Sequence, residues 1–112
     1  MEIVIRMQHD VTLVAVAGSL DSNTSPQAQQ TLEGILASGG RKLVVDCTAL
    51  DYISSAGLRV LLTTVKRLSG AAGGGALRMF GLNDTVREVF DISGFSTILA
   101  VFATEADALE GF

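Results

Sequence analysis

The chain has 112 residues, eight basic against twelve acidic side chains, a formal net charge of −4 and 48% hydrophobic residues. That length and apolar content predict one domain over residues 1–112 with a packed core, and they exclude whole-chain disorder. The chain has no Lys/Arg block to displace counterions from phosphates, which argues against direct nucleic-acid binding, and its single cysteine, Cys47, excludes an internal disulfide, a CxxC redox pair and a multi-cysteine zinc site.

Ile3, Ile5 and Met7 alternate with Val4 and Arg6, the period of two that marks a strand. Gln8-His9-Asp10 is a short polar break before a second, Val-rich run at residues 11–17, and the pair predicts an antiparallel hairpin. Gly18-Ser19-Leu20-Asp21 leaves that strand. Residues 22–25 form a turn cluster, and Pro26 suits a first helical position with Ser25 as cap. Ala28, Leu32, Ile35 and Leu36 recur at helical spacing until Gly39-Gly40. Leu43-Val44-Val45 does not alternate, as befits a strand covered on both faces. Leu58, Leu61, Leu62, Val65 and Leu68 trace one face of a helix over residues 56–68. Residues 70–75 read as a Gly-rich connector and 77–80 as a strand. Asn83 or Asp84 caps a helix bearing Val86, Val89 and Phe90, which Gly94 ends. Residues 98–102 are the last strand and 105–110 a short final helix. The order β-β-α-β-α-β-α-β-α predicts an α/β fold: a mixed, mostly parallel sheet with an N-terminal antiparallel hairpin.

Loops leaving the carboxyl ends of parallel strands share one edge of the sheet, where sites usually form. Three such loops are expected, at residues 18–23, 47–56 and 81–84. They bring Asp21, the Ser54-Ser55 pair and Asn83 to one edge. The two serines stand where the next helix begins, and its free N–H groups and dipole favour an anion there.

Leu50-Asp51-Tyr52-Ile53-Ser54-Ser55-Ala56-Gly57-Leu58 resembles the signature loop of STAS domains, specifically the bacterial anti-sigma factor antagonists. Gly18-Ser19-Leu20-Asp21, Phe80-Gly81-Leu82, Gly94-Phe95 and Glu105–Leu109 follow the same family's pattern, so the resemblance covers essentially the whole chain. It implies a STAS fold and a non-enzymatic role in transcription regulation by partner switching. The antagonist binds an anti-sigma factor that is also a serine/threonine kinase and so frees a sigma factor. Phosphorylation by that kinase weakens binding, and a serine phosphatase reverses it. Aligned on Gly57, the phosphoacceptor position falls on Ser55, and Ser54 replaces the preceding acidic residue of the family's motif. The partner surface the resemblance implies comprises Asp21, Ser54, Ser55, Ala56, Gly57, Arg59 and Asn83, with no cofactor and no metal.

Other readings compete. Ser54 and Ser55 are both good helix caps, and capping at one is compatible with modification of the other. Asp46 and Asp51 invite a magnesium-dependent receiver, which would need an acidic pair after the first strand; a hairpin turn stands there. His9 lies in that turn, on a different edge from the serines, which argues against a Ser-His-Asp triad. Cys47 reads as a small buried hydrophobe. Gly73-Gly74-Gly75 lacks the Lys-Ser/Thr of a phosphate-binding loop and reads as linker. The alternative function is a non-phosphorylated STAS subunit of a membrane lipid-transport complex. Glu2, Arg6 and Asp10 break any signal segment, and the longest charge-free stretch, thirteen residues at 92–104, is short of the roughly 20 that span a bilayer. The expectation is a soluble, cytoplasmic protein without membrane insertion.

Overall fold

In the computed structural model, residues 1–71 and 74–112 are described. Strands β1 (Glu2–Gln8) and β2 (Val11–Leu20) pair antiparallel from Gln8 opposite Val11 to Glu2 opposite Ala17. The two-residue turn between them places His9 at φ 56, a left-handed conformation that His adopts more readily than bulkier residues. Helix α1 (Ser25–Ala37) returns the chain to β3 (Lys42–Asp46), which lies parallel to β2. β4 (Leu50–Ile53) follows, then α2 (Ser55–Ser69), β5 (Ala76–Phe80) and α3 (Asp84–Ser93). A 3-10 turn at Phe95–Thr97 leads to β6 (Ala100–Phe102), and α4 (Glu105–Leu109) closes the order. The sheet runs β1-β2-β3-β5-β6, with every pair after the hairpin parallel and β4 paired to the end of β2.

Both faces of the sheet are covered, by unequal layers. On one, Val14, Val16, Leu43, Val45, Leu77 and Met79 pack under α1, α2 and α3 through Leu32, Leu61, Leu68, Val86 and Phe90. On the other, Val11, Leu13, Val44 and Phe80 pack against Ala108 of α4, with Phe102, Leu109 and Phe112 at the margin. This explains the unbroken Leu43-Val44-Val45 run: side chains pointing either way enter a core. Arg78 fastens the thinner layer. Its guanidinium donates to the Ala108 and Glu110 carbonyls at 3.0 and 2.7 Å and lies 4.2 Å from the centre of the Phe112 ring.

Four details differ from the sequence expectation. Residues 18–20 do not leave β2; they continue it, because β4 supplies a partner, Leu20 standing opposite Ile53. β4 itself lies inside the expected 47–56 loop. Its burial runs inward at Leu50 and Ile53 and outward at Asp51 and Tyr52, because the pairing to β2 skips Asp51 between Gly18–Leu50 and Ser19–Tyr52 and so breaks the period of two. Thr24, not Ser25, is the residue before the first turn of α1, and Ser25 opens the helix with its hydroxyl donating to the Asp21 carbonyl at 2.5 Å. The last strand is three residues, since the chain first spends Phe95–Thr97 in a 3-10 turn. The expected Gly-rich connector falls partly outside the described residues, at 72 and 73. Among the described residues no helix is long and apolar enough to cross a membrane.

Candidate functional site

The carboxyl ends of β2 and β4 meet at the start of α2. The Ser54 N–H donates to the Leu20 carbonyl at 2.9 Å, which fixes where the helix begins. Ser54 is extended, at φ −97 and ψ 174, and its Oγ accepts the Gly57 N–H at 3.4 Å, so Ser54 is the cap. Ser55 is the first helical residue and is exposed, and among the described residues its hydroxyl has no hydrogen-bond partner. The two adjacent serines therefore face different surroundings: one is spent on the backbone and the other is free in solvent.

Gly57 makes this tight junction possible. A Cβ there would lie 2.7 Å from Leu20 Cγ, 2.8 Å from the Leu20 carbonyl oxygen and 2.9 Å from Ile53 Cγ1. Any side chain would lift α2 off the strand ends and carry Ser55 with it. Ala56 is half-buried, and Arg59, one turn on, is exposed with its Nε 3.5 Å from the Ser55 carbonyl oxygen.

Asp21 and Asn83 are on this same edge, each engaged in building it. Asp21 Oδ1 accepts the N–H groups of Asn23 and Thr24 at 2.9 and 3.1 Å, a local turn that leads into α1. Asn83 Oδ1 accepts the Val86 N–H at 2.8 Å and caps α3, while its Nδ2 donates to the carbonyls of Leu50 and Asp51 at 3.1 and 3.3 Å. Asn83 thus fastens α3 to β4 and holds the strand that delivers Ser54 and Ser55. His9 is at the opposite end of β2, as the hairpin requires.

Sequence reasoning missed two parts of this surface. A cleft of about 260 Å³ opens between the N-terminal halves of α1 and α2, lined by Ser22, Gln29, Ala56, Arg59 and Thr63 among others. It forms where two helices lie side by side, a tertiary relation with no local signal. Tyr52 is 45% exposed on β4, three residues before Ser55; the outward pair Asp51-Tyr52 could have revealed it had β4 been recognised.

The remaining polar groups offer little chemistry. Asp46 Oδ1 accepts the Thr48 N–H and hydroxyl at 2.9 and 2.7 Å, a turn at the end of β3. Cys47 is 1% exposed, and burial pushes its thiol up to about 12. Among the described residues no three His, Cys, Asp or Glu side chains converge as metal ligands would.

The sequence profile of the STAS domain matches residues 2–108. BtrV of Bordetella bronchiseptica, provisionally named an anti-sigma factor antagonist, is 38% identical over 100 residues, covering 89% of this chain and 84% of its own. The anti-sigma-B factor antagonist of Listeria monocytogenes is 32% identical over 94 residues, with 84% and 81% covered. Among solved structures, a Thermotoga maritima protein described as a candidate anti-sigma factor antagonist superposes with a TM-score of 0.89 at 19% identity, covering 96% of this chain and 92% of that one. The phosphorylated form of the Bacillus cell-fate determinant SpoIIAA superposes at 0.72 with 21% identity and 97% of both chains covered.

Proposed function

Because the chain belongs to the STAS domain family and groups with its anti-sigma factor antagonists, we propose that it binds an anti-sigma factor serine/threonine kinase, frees a sigma factor, and is switched off by phosphorylation of Ser55. The observation that carries this reading is the unequal use of the two serines: Ser54 caps α2, and Ser55 stands exposed in its first turn. A phosphate on Ser55 adds roughly −1.5 to −2 charges. The free N–H groups and dipole of α2 tolerate that charge, so the fold survives the modification. A kinase docked over the same edge would meet new charge, bulk and desolvation cost. The switch is then a change of surface, without refolding, and a serine phosphatase resets it.

Ser54 replaces the acidic residue that the family pattern has before the acceptor, and a serine there still caps the helix. Asp21, Ser54 and Asn83 shape the edge and Ala56 and Arg59 extend it along α2, whereas Gly57, expected on the same surface, is buried against Leu20 and Ile53 and seats the helix without facing a partner. The domain is the substrate of another enzyme and acts by binding, in the cytoplasm. A pull-down from the native host, read by mass spectrometry, recovers a serine kinase of the anti-sigma type. Recovery of transporter subunits alone contradicts the proposal and supports a transport-complex role.

A further inference from the structure

β1 is a seven-residue strand at the edge of the sheet. Edge strands carry unpaired N–H and C=O groups, and proteins usually defend them with Pro, Lys, a bulge or a covering segment. β1 contains neither Pro nor Lys and pairs with β2 in unbroken register. Val4, Ile5 and Met7 are 52%, 47% and 63% exposed. Beside them a groove of about 710 Å³ runs between β1 and α1, lined by Ile5, Met7, Gly34 and Ile35 among others.

The free backbone groups can be named. The Gly18 N–H donates away from β1, to the Ala49 carbonyl at 2.9 Å. Peptide groups alternate along a strand, so Ala17 directs its own toward β1, opposite Glu2. Carried down the register, Glu2, Val4, Arg6 and Gln8 bond to β2, and Ile3, Ile5 and Met7 turn their N–H and C=O groups outward.

We propose that β1 pairs antiparallel with β1 of a second copy, across a two-fold axis at Val4. Only registers that set Ile3, Ile5 and Met7 against one another satisfy the outward groups. An axis at Val4 sets Ile3 opposite Ile5 and Glu2 opposite Arg6, each twice, with Val4 opposite itself. An axis at Ile5 sets Glu2 opposite Gln8 and Val4 opposite Arg6, joining no opposite charges. Charge complementarity selects the first. Its Glu2–Arg6 pairs occupy non-hydrogen-bonded positions, where facing side chains come closest. Arg6 already pairs with Glu105 of its own chain, and a guanidinium has five donors to share with a second carboxylate. The interface is isologous and closed, so it ends at two copies. Ser55 is at the junction of β4 and α2, away from β1, so the dimer shows two such surfaces to a partner whether or not Ser55 is modified.

Sedimentation of the full chain over about 1–500 μM tests this. The mass rises from 11.7 kDa to twice that value. Ile5→Pro removes an outward N–H that β2 does not use, so the chain keeps its fold and stays monomeric. Arg6→Glu weakens the dimer at least about tenfold, and adding Glu2→Arg restores it. The charge pair answers the question even where Ile5→Pro does not fold. A monomer across the whole range, which would leave the edge to a foreign strand, overturns the proposal. So does a dimer indifferent to Arg6→Glu, or one that the double reversal fails to restore.

Discussion

The neighbours Ser54 and Ser55 differ in what their hydroxyls touch. Removing the cap by Ser54→Ala costs about 0.5–2 kcal/mol, because the Gly57 N–H loses its acceptor. Ser55→Ala removes a hydroxyl that has no hydrogen-bond partner among the described residues, so its unfolding midpoint stays close to the parent's; urea titration of the two variants reads the contrast directly. The sequence marked both serines as candidates, but not which one caps. That is set by the bond from Ser54 N–H to the Leu20 carbonyl, a contact between segments 34 residues apart. Cys47 was legible, as a small apolar residue at the end of a core strand. Its thiol, held up to about 12 against an ordinary 9.0, stays protonated in the fold while the unfolded chain ionises, so stability declines as pH climbs from about 9. Under native conditions a thiol reagent should modify Cys47 no faster than the protein unfolds, and rapid labelling would contradict its burial.

At the scale of elements, the long periodic segments were readable and the short ones were not. The face of α2 repeats over four turns, and the triplet of β3 is apolar throughout, so both announce themselves. β4 has four residues, and Leu50 and Ile53 face inward three apart, a spacing that an alternating strand does not show and that one turn of helix would. It exists because the end of β2 offers it a partner and Asn83 ties its carbonyls to α3. Gly57 is where this joint is tightest. Gly57→Ala drives a methyl into Leu20 and Ile53 and should cost about 1–3 kcal/mol. It should also displace Ser55, so amide shifts in an NMR spectrum concentrate on the start of α2 and the end of β2. Gly81, directly after β5, is similar: it sits at φ 77, and a Cβ there would run into Thr48 Cγ2.

For the whole molecule, the topology joins distant parts of the sequence at one edge of the sheet, while α4 closes one of its faces. The parallel crossovers bring Asp21, Ser55 and Asn83 together, as the alternation of strands and helices predicted. The α1–α2 cleft was invisible in the sequence because it belongs to two helices at once. Arg78 shows how the thin layer is held: its guanidinium bonds two carbonyls of the C-terminal segment and lies over Phe112. Arg78→Ala should cost about 1–3 kcal/mol and raise hydrogen exchange in α4 first, leaving α2 protected.

The central claim concerns one hydroxyl, and phosphate incorporation tests it most directly. The chain and its Ser54→Ala and Ser55→Ala variants are each incubated with the cognate kinase, and the product is mapped by mass spectrometry. The account predicts one phosphate on Ser55 in the parent and in Ser54→Ala, and none in Ser55→Ala. Phosphate on Ser54, or on neither serine, would contradict it.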